Sequence, residues 1–149
     1  MKALLQRVTF GKVIISGKVI GEIDKGYVVL LGIKEGDSKK GADLMASKIV
    51  NLRVMSDEDG KMNKSILDVG GEILVISQFT LYADTKEGRR PSFINAAKPD
   101  LASHLYQYFI GQLKMLGVKS VQTGEFGVYM SVEIVNDGPV TIMLDTEEL

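Results

Sequence analysis

The four residues Ile73-Leu74-Val75-Ile76 are aliphatic in succession, without a polar position among them. A strand of that pattern has no face to offer water, so it must be buried on both sides. The chain then changes character. Ser77-Gln78-Phe79-Thr80-Leu81-Tyr82-Ala83 places hydroxyls, an amide and two rings at the end of the buried element. Rigid polar groups at a strand end are where binding sites tend to be built. The same residues also suit a strand that simply emerges into solvent, because hydroxyls at strand ends are common.

Around this stretch the chain predicts strands over Lys2 to Val8, Lys12 to Ile15 and Lys18 to Ile23. The Asp24-Lys25-Gly26 turn then leads into Tyr27 to Ile33, too apolar a run to face water. Gly36-Asp37-Ser38 supplies a cap for a helix with Ala42, Met45, Ala46, Ile49 and Val50 on one face, ending near Asn51. Leu52 to Met55 reads as a strand closed by the Asp57-Glu58-Asp59-Gly60 turn. An irregular segment from Asp84 to Pro99 is long enough to be functional or disordered. Pro99 opens a second helix, with Leu101, Leu105, Tyr108, Phe109, Leu113 and Leu116 on one face and Gly117 as its stop. Tyr129 to Val135 and Val140 to Leu144 read as a hairpin about an Asn136-Asp137-Gly138-Pro139 turn. The expected fold is α+β: one domain over residues 1–149, a curved and mostly antiparallel sheet or barrel-like roll with two helices packed on it.

Composition narrows the chemistry. The absence of cysteine excludes disulfides, zinc–thiolate sites and cysteine nucleophiles. The single histidine, His104, falls on the flank of the second helix, which argues against zinc and Ser-His-Asp sites. Met1 to Val8 has no apolar signal region, and no apolar run approaches the ~18 residues that span a bilayer, so a cytoplasmic location is expected. A net charge of −1 argues against a general nucleic-acid coat. It leaves room for a local basic face, and Lys86, Arg89 and Arg90 cluster in one loop. Lys2, Arg7, Lys12 and Lys18 on the first strands read as solvated surface charges. Besides the polar strand end, one feature stands out: Asn136-Asp137-Gly138-Pro139-Val140-Thr141, whose Gly-Pro bond suits either an ordinary turn or a cis peptide.

Several segments carry a resemblance. They are Gln6-Arg7-Val8, Lys48 to Arg53, Gly60-Lys61-Met62-Asn63, Gly71 to Ala83, Gly88 to Phe93, and Asn136 to Thr141. SQFT and NDGPVT, in that order and about sixty residues apart, form the specific pair. Over essentially its full length the chain resembles the D-aminoacyl-tRNA deacylase family. It departs from the family pattern in Phe126-Gly127-Val128-Tyr129-Met130, where alanine usually stands in place of Val128.

The resemblance implies hydrolysis of the ester joining a D-amino acid, or glycine, to the terminal adenosine of tRNA. It implies a homodimer without metal or cofactor, in which a cis Gly138-Pro139 motif of one subunit reaches into the site of the other. Gly138 and Pro139 would hold the substrate α-ammonium on carbonyl oxygens and exclude the L side chain by clash. Ser77, Gln78 and Phe79 would form the opposite wall, with backbone amides near the scissile carbonyl. Thr80 is the side-chain nucleophile on paper, but no base accompanies it, which favours main-chain positioning assisted by the ribose 2′-hydroxyl. Lys86, Arg89 and Arg90 become candidate phosphate contacts. Two rivals remain: a non-catalytic module that binds charged tRNA, and a small ester hydrolase using Thr80.

Overall fold

The computed structural model describes all residues, 1–149. Strand β1 (Lys2–Ile15) is one element of 14 residues where two short strands were expected. Gly11 lets it run through: a Cβ there would come within 2.7 Å of the Val28 side chain. Its length gives β1 two partners along one edge. Strand β2 (Lys18–Ile23) pairs antiparallel with its C-terminal end, and β3 (Gly26–Gly32) with its N-terminal end.

Helix α1 (Lys39–Asn51) comes next, then a small hairpin of β4 (Met55–Ser56) and β5 (Met62–Lys64). The predicted strand over Leu52 to Met55 therefore shrinks to its last residue. Strand β6 (Glu72–Ser77) adds to β3 in parallel. After a 3-10 turn (Phe79–Tyr82) and helix α2 (Pro99–Met115), β7 (Ser120–Thr123) adds to β6, also in parallel. Strand β7 escaped the sequence because it holds one apolar residue and pairs only with a distant segment. The last strand, β8 (Ser131–Asp145), lies along the other edge of β1.

The six-stranded sheet curls until β2 meets β7, where a Cβ on Gly21 would lie 2.7 Å from the Thr123 carbonyl oxygen. This is the expected α+β roll with two helices. Its pairings are antiparallel around β1 and parallel where β3, β6 and β7 meet. Inside the curl lie Val8, Val13, Ile23, Val28, Leu74 and Ile76. On the outer side Tyr27, Val29, Leu31, Ile73 and Val75 pack under the helices. Alternate residues of β6 thus enter different cores, which is why its run is apolar throughout. Each such side chain contributes about 1.5–3 kcal/mol by leaving water.

Helix α1 buries the five residues that its spacing predicted. Helix α2 buries Leu105, Phe109 and Leu113 as expected, and also Tyr106 and Ile110, while Leu116 stays 38% exposed. The face is rotated toward the sheet, where the Tyr106 hydroxyl donates to the Val75 carbonyl at 2.8 Å.

The predicted hairpin about Asn136–Pro139 does not form. Strand β8 continues through it because β1 is long enough to pair on both sides. Gln6 faces Thr141 and Val8 faces Asn136, so Asp137 to Val140 bulge opposite the single residue Arg7. The segment between Asp84 and Pro99 is held in place: Asp84 and Ser92 exchange two backbone hydrogen bonds of 2.8 Å, and the Ala97 amide donates to the Ile33 carbonyl at 2.9 Å. No helix is long and apolar enough to cross a membrane.

Candidate active site

The parallel register sets Leu31 beside Ser77 at the end of β6. The Gln78 amide then donates to the Leu31 carbonyl at 2.8 Å, and the chain turns at once. Gly32 makes room: a Cβ there would lie 3.1 Å from the Gln78 carbonyl oxygen and 3.1 Å from the Leu81 side chain. The turn closes with the Leu81 amide on the Gln78 carbonyl at 3.2 Å and the Ala83 amide on the Thr80 carbonyl at 3.0 Å.

This geometry projects Phe79 outward, 54% exposed, with its ring edge-on to Phe93 at a centroid distance of 5.0 Å. The two rings and Ser77 stand on one side of a cavity of about 650 Å³. Ala96, Ala97 and Ala102 line it from the loop and the first turn of α2, and Phe126 to Met130 complete it from the β7–β8 connection. Its volume falls in the range of small-molecule sites. No carboxylate, imidazole, ammonium or guanidinium group lines the wall.

Of the four expected residues at the strand end, Ser77 and Phe79 line the cavity, while Gln78 and Thr80 do not. The Gln78 side-chain amide donates to the Thr80 hydroxyl on the exposed side of the turn. The Gln78 backbone amide, expected to face the scissile carbonyl, donates to the Leu31 carbonyl. The first amide bonded within the turn is that of Leu81, which leaves those of Phe79 and Thr80 ahead of it. His104 is exposed on α2 and does not line the cavity.

The Gly138-Pro139 bond is cis, and both residues are exposed. Neither lines the cavity that holds Ser77 and Phe79. The bulge that carries them is tied from within. Asn136 Oδ1 accepts the Val140 amide at 3.0 Å, and Arg7 Nε reaches the Asp137 carboxylate at 3.0 Å. Arg7 also donates from Nη1 to the Val54 carbonyl at 2.7 Å. With 7% of its surface exposed, Arg7 is not the solvated charge that the sequence suggested. The basic loop is different: Lys86, Arg89 and Arg90 sit exposed at the tip of the Asp84–Ser92 bridge, and none forms an ion pair.

The sequence profile of the family described as D-Tyr-tRNA(Tyr) deacylase matches residues 4–145. The chain belongs to that family. Among its relatives, a protein of Clostridium kluyveri named D-aminoacyl-tRNA deacylase is 56% identical over 149 residues, covering 100% of this chain and 99% of the relative. One of the same name from Syntrophomonas wolfei is 54% identical with the same coverage. A solved structure titled c-Myc DNA Unwinding Element Binding Protein superposes with a TM-score of 0.92 at 44% identity, covering 97% of this chain and 98% of that one. A probable eukaryotic D-amino acid tRNA deacylase shares the fold, with a TM-score of 0.80 at 15% identity and coverage of 96% and 97%.

Relatives in the D-Tyr-tRNA(Tyr) deacylase family are named deacylases, and here the cavity offers such chemistry main-chain groups and the hydroxyls of Ser77 and Tyr129. Sequence reasoning missed most of the wall. Phe93 appeared only inside a longer matching segment and Phe126 only in the segment that departs from the family pattern, and Ala96, Ala97 and Ala102 carry no chemical signal. Only their assembly from three distant segments makes a pocket. Arg7 was visible as part of Gln6-Arg7-Val8, but its burial depends on the bulge of β8.

Proposed function

We propose that this chain hydrolyses the ester joining a D-amino acid to the terminal adenosine of tRNA, and the corresponding glycine ester, while sparing L-aminoacyl-tRNA. The reading rests on one observation: Ser77 and Phe79, from the motif that marks the family, open onto a cavity of about 650 Å³ within a chain more than half identical to relatives named D-aminoacyl-tRNA deacylase. The apolar, ring-walled cavity suits a nucleoside.

In this reading the ester lies over the Ser77–Thr80 segment, with the main chain orienting the carbonyl and the substrate's 2′-hydroxyl helping to activate water. The lack of a carboxylate, imidazole or amine on the wall supports it. Carbonyl oxygens of Gly138 and Pro139 hold the α-ammonium and leave no space for an L side chain, so discrimination comes from a clash with the wrong partner. Glycine has no side chain and passes. In this reading a second copy supplies Gly138 and Pro139, and the working unit is a homodimer acting on tRNA in the cytoplasm; the position of both residues away from the cavity of their own chain supports it.

A binding module without hydrolysis is the rival, favoured by the name of the 44% identical structural relative. The test is hydrolysis of one tRNA charged separately with D- and L-tyrosine. Rapid loss of the D ester with the L ester intact is expected. Binding without cleavage of either ester sinks the enzyme reading, and equal cleavage of both removes the Gly138-Pro139 filter.

A further inference from the structure

Tyr129 is 97% exposed, more than any other large apolar or aromatic side chain of the protein. A lone exposed ring needs no explanation in itself. This one differs in where it sits: it belongs to the wall of the candidate cavity, beside Val128 and Met130. Gly127, with φ of +76°, turns the chain just before it. Met130 packs inward against the core of the curled sheet, and Tyr129 is left outside.

Nothing in the chain covers the ring. It takes no part in the two ring pairs, Phe79–Phe93 and Tyr106–Phe126, or in the three lysine–ring contacts. Both faces of a rigid aromatic plane are therefore open at the mouth of the cavity. Phe93, also on the wall, lies three positions beyond Arg90 in the chain, and Lys86, Arg89 and Arg90 form no ion pair and outnumber the one carboxylate among them, Glu87. The cavity wall adds no negative charge of its own. An open ring and unpaired cations are the parts with which proteins hold single-stranded nucleic acid, the ring taking a base and the cations its phosphates.

The geometry points to Tyr129 as a stacking platform for an unpaired nucleotide that precedes the terminal adenosine of the RNA, an inference that rests on the proposed function of the cavity. The terminal adenosine fills the cavity, and the next base leaving its mouth meets the ring. Stacking of this kind tolerates any base, so the platform adds affinity for a single-stranded 3′ end without sequence preference.

The experiment compares the affinity of the full chain for a short single-stranded RNA ending in CCA with its affinity for adenosine 5′-monophosphate, by competition against a labelled strand. The wild type gains affinity from the longer ligand, and Tyr129→Ala loses about tenfold of that gain. Tyr129→Phe keeps it, because the ring and not the hydroxyl does the stacking. An equal gain in wild type and Tyr129→Ala overturns the platform, as does a Phe variant that behaves like the Ala variant. Sedimentation of the same variants guards against another role: conversion of a dimer to a monomer by Tyr129→Ala would mean that the ring covers a second copy, and the proposal falls. Hydrolysis of D-tyrosyl-tRNA by the wild type is scored separately. No hydrolysis, with the gain still lost in Tyr129→Ala, overturns the proposed function and leaves the platform; hydrolysis with an unaltered gain does the reverse.

Discussion

Arg7 holds Asp137 at two points: its Nε lies 3.0 Å from the Asp137 carboxylate and donates to the Asp137 carbonyl at 3.2 Å. The same guanidinium donates to the Val54 carbonyl in the interior, so one side chain ties the Gly138-Pro139 bulge to the segment after α1. Arg7→Ala strips that carbonyl of its donor and leaves the carboxylate alone. A loss of about 2–4 kcal/mol in urea unfolding is expected, with a fall in D-ester hydrolysis. Arg7→Lys keeps the charge but not the fork, and should lie between the two. An unfolding midpoint unmoved by Arg7→Ala would mean that the bulge holds itself.

Gly26 faces Glu72 across the parallel ladder, and a Cβ on it would sit 1.8 Å from the Glu72 carbonyl oxygen. Backbone cannot yield as a side-chain tip can, so Gly26→Ala should cost about 3 kcal/mol or more. Ser77 ends the same ladder, and its displacement should lower activity as well. Gly17→Ala is the comparison: nothing lies within 4 Å, and only its φ of +79° opposes the change, for about 1–2 kcal/mol. Thermal melts of both variants decide it; equal shifts would show that the ladder tolerates the added methyl.

Arg7 and Gly26 mark what could be read from the sequence and what could not. The doubly buried β6, the helix faces and the polar strand end are legible in local pattern, because burial leaves a period in the side chains themselves. Asn136-Asp137-Gly138-Pro139 read as a hairpin turn because its composition is that of a turn; only the length of β1 makes it a bulge. Arg7 looked solvated for the same reason. Its partners lie 130 and 47 positions away, beyond any periodicity. The cavity wall was illegible too, since alanine and glycine announce no chemistry until the fold gathers them.

Thr80 is exposed and its hydroxyl accepts from the Gln78 side chain, without a base at hand. Ser77 lines the cavity but has no carboxylate, imidazole or amine on the wall to activate it. Each single change, Thr80→Ala and Ser77→Ala, is therefore expected to keep kcat for D-tyrosyl-tRNA within about tenfold of wild type. A fall of several orders of magnitude in a variant that folds normally would restore a side-chain nucleophile.

Arg89 sits in the exposed basic tip without an ion-pair partner. As a phosphate contact, its charge would release counterions on binding. Arg89→Ala should weaken tRNA binding and reduce the slope of log affinity against log salt by about one. An unchanged slope would return the loop to the solvent.

Tyr27 and Tyr106 are 0% and 1% exposed, and burial pushes both hydroxyls above the ordinary tyrosine value; the Arg7 charge opposes this at Tyr27 without reversing it. In the unfolded chain both ionise near pH ~10, whereas the folded chain keeps their protons to higher pH. Below that point the unfolded and folded states hold equal numbers of these protons, and stability does not respond. Above it the unfolded state binds fewer, so stability falls as pH rises, by about 1.4 kcal/mol per pH unit for each tyrosine. Tyr106 adds a second effect, since its hydroxyl donates to Val75. Tyr106→Phe should cost about 1 kcal/mol at neutral pH and then lose stability less steeply in alkali. The measurement is urea unfolding of both proteins from about pH 8 to about pH 11.5. Curves that stay parallel across this range would mean that the Tyr106 hydroxyl ionises in the folded protein as readily as in the unfolded chain, and that its burial against β6 does not hold the proton.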